Sequence, residues 1–163
     1  MTALKTNSWK NALGHALLSG GLASLCSTAV IALRSRTDAG SLFSGTNATS
    51  QWVWGEQALH RHGFSARHTL LGYAIHHACS IMWATIYERW LAANPAADPT
   101  AVLKRAEAVA AMAFTIDYTI TPPRFRPGYE KHLKPASMTG VYGAFAFGLA
   151  LATLWRRRML PSR

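Results

Sequence analysis

Residues Thr69 to Leu91, TLLGYAIHHACSIMWATIYERWL, constrain this chain more than any other stretch. The segment is long and apolar enough to cross a bilayer, yet the adjacent pair His76 and His77 sits about a third of the way along it. Tyr73, His76, Ser80, Trp83, Tyr87 and Trp90 follow a 3-4-3-4-3 spacing and so fall on one stripe of a helix. On a membrane helix such a polar-aromatic seam has to face other protein, because hydrocarbon offers an imidazole or a phenol no partner.

Composition points the same way. Only 15% of the residues are charged, well below the roughly 25% of soluble domains. The charges come in blocks between long uncharged stretches. A formal charge of +10 suits nucleic acid in principle, but the basic residues border apolar spans instead of marking one groove, so nucleic acid is not an expected partner. Lipid headgroups are the simpler counter-charge. Cys26 and Cys79 both lie inside apolar spans, which favours buried thiols over a disulfide framework. The run from Leu22 to Cys26 superficially resembles a lipoprotein cleavage site, but Leu25 is too large for the position before the cysteine and the apolar run continues to Leu33. An uncleaved membrane helix is the better reading.

Four spans are expected in order. Leu13 to Leu33 carries no formal charge over 21 residues, and Ala16, Gly20, Ser24 and Thr28 make a small-residue face on it. Arg34 and Arg36 close that span, and a polar connection of about 33 residues follows, with Trp52 and Trp54 suited to the headgroup layer. This connection is expected to lie partly ordered on the membrane surface, with a short helix over Glu56 to His60. Asn47-Ala48-Thr49 is formally a glycosylation acceptor, discounted because a bacterial origin is expected. The second span runs from Thr69 to Ala93. Asp98 and Pro99 open a third, which ends before Pro122-Pro123 with Asp117 close to its end. Pro135 opens the fourth, on which Gly140, Ala144, Gly148 and Ala152 repeat the small-residue face. Two such faces predict close packing of the first and fourth helices.

The expected fold is therefore all-α: an integral membrane four-helix bundle with helices at about 13–33, 69–93, 99–120 and 136–155, and a long first connection lying at the membrane surface. Four spans place both ends on one side. That side carries nine basic residues (Lys5, Lys10, Arg89, Lys104, Arg105, Arg156, Arg157, Arg158 and Arg163) against eight on the other, so the positive-inside rule does not discriminate. The arginine triplet tight against the fourth helix argues for cytoplasmic termini.

This topology brings His60, His62, His68, Glu130 and His132 to one face. His76 lies about 10 Å below that face at the rise of an α-helix, and Asp117 lies just inside it. His76, His77, Asp117 and His132 are thus the candidate ligands for a transition metal, although no H-x-x-x-H or C-x-x-C spacing supports them. Haem is less favoured, since His15 sits at the opposite depth from His76 and the last two helices carry no histidine. No nucleophile motif occurs, so no catalytic residue is assigned.

Thr121-Pro122-Pro123-Arg124-Phe125, followed by Pro127 and Tyr129-Glu130, resembles the YagU-like bacterial inner-membrane proteins, as do the four spans and the histidine-bearing second helix. The resemblance implies an inner-membrane location and supplies no catalytic residues. Three functions are open: an accessory or self-associating membrane subunit working through Gly20, Ser24, Gly140, Ala144 and Gly148; a metal- or cofactor-binding protein; or a proton or small-solute pathway along the Tyr73–Trp90 seam.

Overall fold

A computed structural model describes residues 2–159, with side chains over 9–159; Lys5 and Arg163 lie outside the described side chains. The fold is all-α, with no strand among the described residues. Helix α1 (Thr2–Ala39) is followed by two short helices, α2 (Ser44–Thr49) and α3 (Gln51–Trp54), and then by the long helices α4 (Leu71–Ala93), α5 (Pro99–Thr115) and α6 (Pro135–Met159). A single wide turn, Ile116–Ile120, continues α5, so that strand of chain is helical over the expected 99–120. Helix α1 runs past its predicted end because Arg34 and Arg36 do not stop a helix; Gly40, at φ +75°, does. Asp98 accepts a hydrogen bond from the Ala101 amide at 2.8 Å and Pro99 takes the first turn of α5, as capping chemistry requires.

Helix α1 is the hub. It lies against both α4 and α6, while α5 packs mainly on α6. Two glycines permit this. A Cβ at Gly148 would stand 2.5 Å from Cα of Ala23, and one at Gly20 would stand 2.7 Å from Cα of Ile81. The two small-residue faces are therefore not devoted to one another: Gly148 meets α1, but Gly20 serves α4. A four-residue repeat advances about 40° per step around a helix, so its members come to face different neighbours. Gly140 is exposed and only in ordinary contact range of Val30, and Ala144 is half-buried.

Two helices, Trp9–Ala39 and Pro135–Met159, are long and apolar enough to cross a membrane. Leu17 (59% exposed), Leu25, Met82 and Phe147 project outward at mid-helix. A folded chain with that much outward apolar surface on the charge-free stretches of its helices has a poor match to water. Tryptophans ring the two ends, and three of them carry an arginine over the ring: Arg67 on Trp54 at 3.7 Å, Arg89 on Trp9 at 4.6 Å and Arg105 on Trp90 at 5.6 Å.

The first connection departs from expectation. Its first part does not lie on a surface: Ser44 to Ser50 are all buried, and α2 plugs the end of the bundle, while residues 60–64 are exposed. The segment is uncharged and small, and glycines clear its path: a Cβ at Gly72 would overlap the Thr46 carbonyl oxygen, and one at Gly128 would stand 2.7 Å from that of Ala48. Asn47, wholly buried, donates to the carbonyls of Arg61 and Gly63 at 2.8 Å and accepts from Thr69 Oγ1 at 2.6 Å. The expected short helix over Glu56 to His60 is a 3-10 turn, Gly55–His60.

Candidate functional site

The core falls into two clusters. One, built around Trp83, Tyr87, Val109, Phe145 and Leu149, fills the bundle toward the chain ends. The other, around Ile31, Tyr129, Leu133, Met138 and Val141, lies under the plug. Between them is a cavity of about 60 Å³, to which Trp83 and Phe145 contribute from the first cluster and Tyr129 and Val141 from the second. By the measure that one water needs about 15 Å³, it holds roughly four waters or one compact molecule.

The polar groups of this cavity come from different helices. His76 of α4 reaches α1, where its Nε2 lies 2.8 Å from Ser27 Oγ, and its ring is 6.4 Å from that of Tyr129. Asp117, on the wide turn after α5, accepts a 2.7 Å hydrogen bond at Oδ2 from the Tyr142 hydroxyl. Tyr142 in turn accepts from the Tyr129 hydroxyl at 3.3 Å. The wide turn, closed by Thr121 N–H donating to the Ile116 carbonyl at 2.9 Å, is a helix irregularity of the kind that re-aims a side chain at a site. The plug and the 121–134 turn form the roof. Trp52 Nε1 donates to the Arg126 carbonyl at 3.2 Å, and the Trp52 and Phe125 rings meet edge to face at 5.7 Å.

Of the candidate metal ligands, the structure brings two together and separates the others. His76 and Asp117 line one cavity. His77, the next residue on α4, is turned about 100° away and stacks beside Tyr73 at 5.6 Å. His132 sits in the roof against His62, ring centres 5.6 Å apart. Among the described residues no three His, Cys, Asp or Glu side chains gather as a ligand set, so His76, His77, Asp117 and His132 do not converge on one point. The reason is geometric: the sequence argument matched depth, which two residues can share while facing opposite ways around the bundle.

The seam is mostly inward. Ser80, Trp83 and Tyr87 are buried, and His76 and Tyr73 are half-buried. Trp90 is 39% exposed and belongs to the rim, beneath Arg105. A spacing averaging 3.4 residues slips behind the 3.6-residue turn, so by Trp90 the stripe has rotated about 100° from Tyr73. At the far end of the bundle Glu88, buried, holds Arg156 in a two-pronged ion pair at 3.1 and 2.8 Å, and Tyr87 shares a 3.2 Å hydrogen bond with Thr153.

Around the roof, burial pushes the His132 imidazole below its ordinary pKa, with His62 adding to the effect. Burial does the same to His68, reinforced by Arg61 and Arg67. The Tyr129 phenol is pushed up by burial.

Sequence reasoning missed Ser27, Trp52, Tyr129 and Tyr142. Tyr142 had a signal: it is the lone phenol in the charge-free span of α6. Ser27 and Trp52 had none, since only the fold sets them opposite His76 and over the cavity. No family model matches the chain, and neither a curated protein nor a solved structure matches it, so the chemistry of the site rests on its geometry.

Proposed function

We propose that this is a small multi-pass protein of a bacterial inner membrane, its four long helices crossing the bilayer with both termini in the cytoplasm, and that its cavity takes up a small solute. In this reading the lipid bilayer is its principal partner, and the likeness to YagU-like proteins reflects a common plan of spans. The observation that carries the solute reading is the shared cavity of His76 and Asp117. Each is tied to another helix, through Ser27 and Tyr142, at a depth where an unpartnered polar group is costly. Intramembrane polar groups gathered on a void are the arrangement that binding or passage of a solute needs.

The test is a stability screen of the detergent-purified chain with compact amines, alcohols and carboxylic acids. A solute that binds the folded form at a hundred times its Kd raises the unfolding free energy by about 2.7 kcal/mol. At least one class is expected to stabilise the native chain and to lose its effect in Ala113→Leu, which fills the cavity from its wall. No shift with any class sinks the reading.

A second reading, an accessory or self-associating subunit, has one observation in its favour. Gly143, open to its surroundings, lies with Ala111 and Thr139 along an outward groove between α5 and α6, and close helix contacts form on such grooves. Disulfide cross-linking of a Gly143→Cys variant in native membranes tests it.

A further inference from the structure

We infer that the solute held by this cavity is a compact methylated ammonium ion. The inference rests on the solute reading above and deepens it.

Charge sets the sign of the ligand. Among the described residues Asp117 is the one carboxylate on the cavity wall, and no lysine or arginine lines it. An anion would meet an acidic group with no cation to offset it, at a depth where charges are weakly screened. Tyr142 donates to one oxygen of that carboxylate, and a carboxylate accepts several bonds, so Asp117 keeps capacity for a second positive partner.

The walls set its shape and chemistry. Trp52, Trp83, Phe125, Tyr129, Tyr142 and Phe145 surround the space. Aromatic faces attract a cation through their quadrupole, most strongly when it is desolvated, and quaternary ammonium groups are the ligands such cages suit. A primary ammonium carries three N–H donors and needs as many acceptors. Ser80 donates to the His76 carbonyl at 2.8 Å and Ser27 to the Ala23 carbonyl at 2.7 Å, which leaves their lone pairs able to accept. Most of the wall, however, is aromatic or aliphatic carbon that a primary ammonium would meet without a hydrogen bond. A fully methylated ammonium asks for no hydrogen bonds, presents an apolar shell to the aromatic walls and needs one counter-charge. Its five heavy atoms match a cavity of about 60 Å³.

Equilibrium dialysis of the full-length, detergent-purified chain against tetramethylammonium and against tert-butanol tests this, since the two probes have five heavy atoms each and differ in charge. Tetramethylammonium is expected to bind once per chain, at least about tenfold more tightly than tert-butanol. Asp117→Asn, which keeps an oxygen to accept from Tyr142, is expected to lose that preference while retaining its helical circular-dichroism spectrum. Phe145→Leu, a second variant for the case that Asp117→Asn does not fold, is expected to weaken tetramethylammonium several-fold and leave tert-butanol unchanged. Equal binding of both probes, unaffected by Asp117→Asn, overturns the cation inference and leaves the solute site standing. Tetramethylammonium binding that survives Ala113→Leu places it outside the cavity and overturns the inference as well. Binding of neither probe overturns it too, and the solute screen then decides separately whether the cavity is a site.

Discussion

Replacing Gly148 by alanine adds one methyl at the close crossing of α1 and α6. That methyl would stand 2.5 Å from Cα and 2.7 Å from N of Ala23 and 2.8 Å from O of Leu22. All three are backbone atoms of α1, so no side chain can swing aside. To reach a tolerable 3.0 Å or an ordinary 3.4 Å the helices must part by about 0.5–0.9 Å, a gap that forfeits a quarter to a half of the dispersion energy of each contact across it. Overpacking of this kind costs about 1–3 kcal/mol, and the better helix propensity of alanine returns up to about 1 kcal/mol of it. A net loss of about 1–2 kcal/mol is expected for Gly148→Ala. Gly143→Ala is the control on the same helix: nothing lies within 4 Å of its added methyl, so it should leave stability unchanged or raise it by up to about 1 kcal/mol. Reversible unfolding in mixed micelles, followed by tryptophan fluorescence, measures both. Equal stability of the two variants would refute the close crossing of α1 and α6.

Glu88→Gln is expected to destabilise the chain by about 2–3 kcal/mol, below the roughly 3–5 kcal/mol for half-broken buried pairs because the Arg156 side chain keeps 18% exposure; a midpoint change worth under about 1 kcal/mol would mean that the pair behaves as a surface one. Acid should loosen the plugged end. The folded His132 imidazole sits below the ordinary 6.5 because of burial and then His62, so the unfolded chain takes up the proton first; stability is full above pH 6.5 and falls as pH drops below it. Unfolding midpoints at pH 7.5 and 5.5 check this, with His132→Gln expected to reduce the difference and a pH-independent native chain counting against it.

Periodicity and capping carried most of the helical plan. Asp98-Pro99 and Pro135 located α5 and α6 within a few residues, because those signals are local and act on the backbone directly, whereas the charge-free run 13–33 marked only the middle of α1, Thr2–Ala39. The plug was not visible in the same way. Ser44 to Ser50 read as a polar connection, and their burial depends on Gly72 and Gly128, distant in sequence, leaving room for them. Depth along a helix was also readable, and it put His76 and Asp117 near the same end of the bundle. Rotation about the helix axis was not, because a neighbour's position decides which way a residue at a given depth looks. That is why His77 and His132 drop out of the site while Tyr142 and Ser27 enter it.

Labelling of single cysteines in intact cells asks most directly whether four rods lie in lipid. In a background with Cys26 and Cys79 replaced by alanine, reporters at Gln57, Ala97, Lys131 and Arg157 sample both connections on one side, the short connection on the other, and the end of α6. A membrane-impermeant maleimide should label Gln57→Cys and Lys131→Cys from outside, and Ala97→Cys and Arg157→Cys only after the membrane is opened. Labelling of all four from one side, or recovery of the chain in the detergent-free soluble fraction, would contradict the spans and everything built on them.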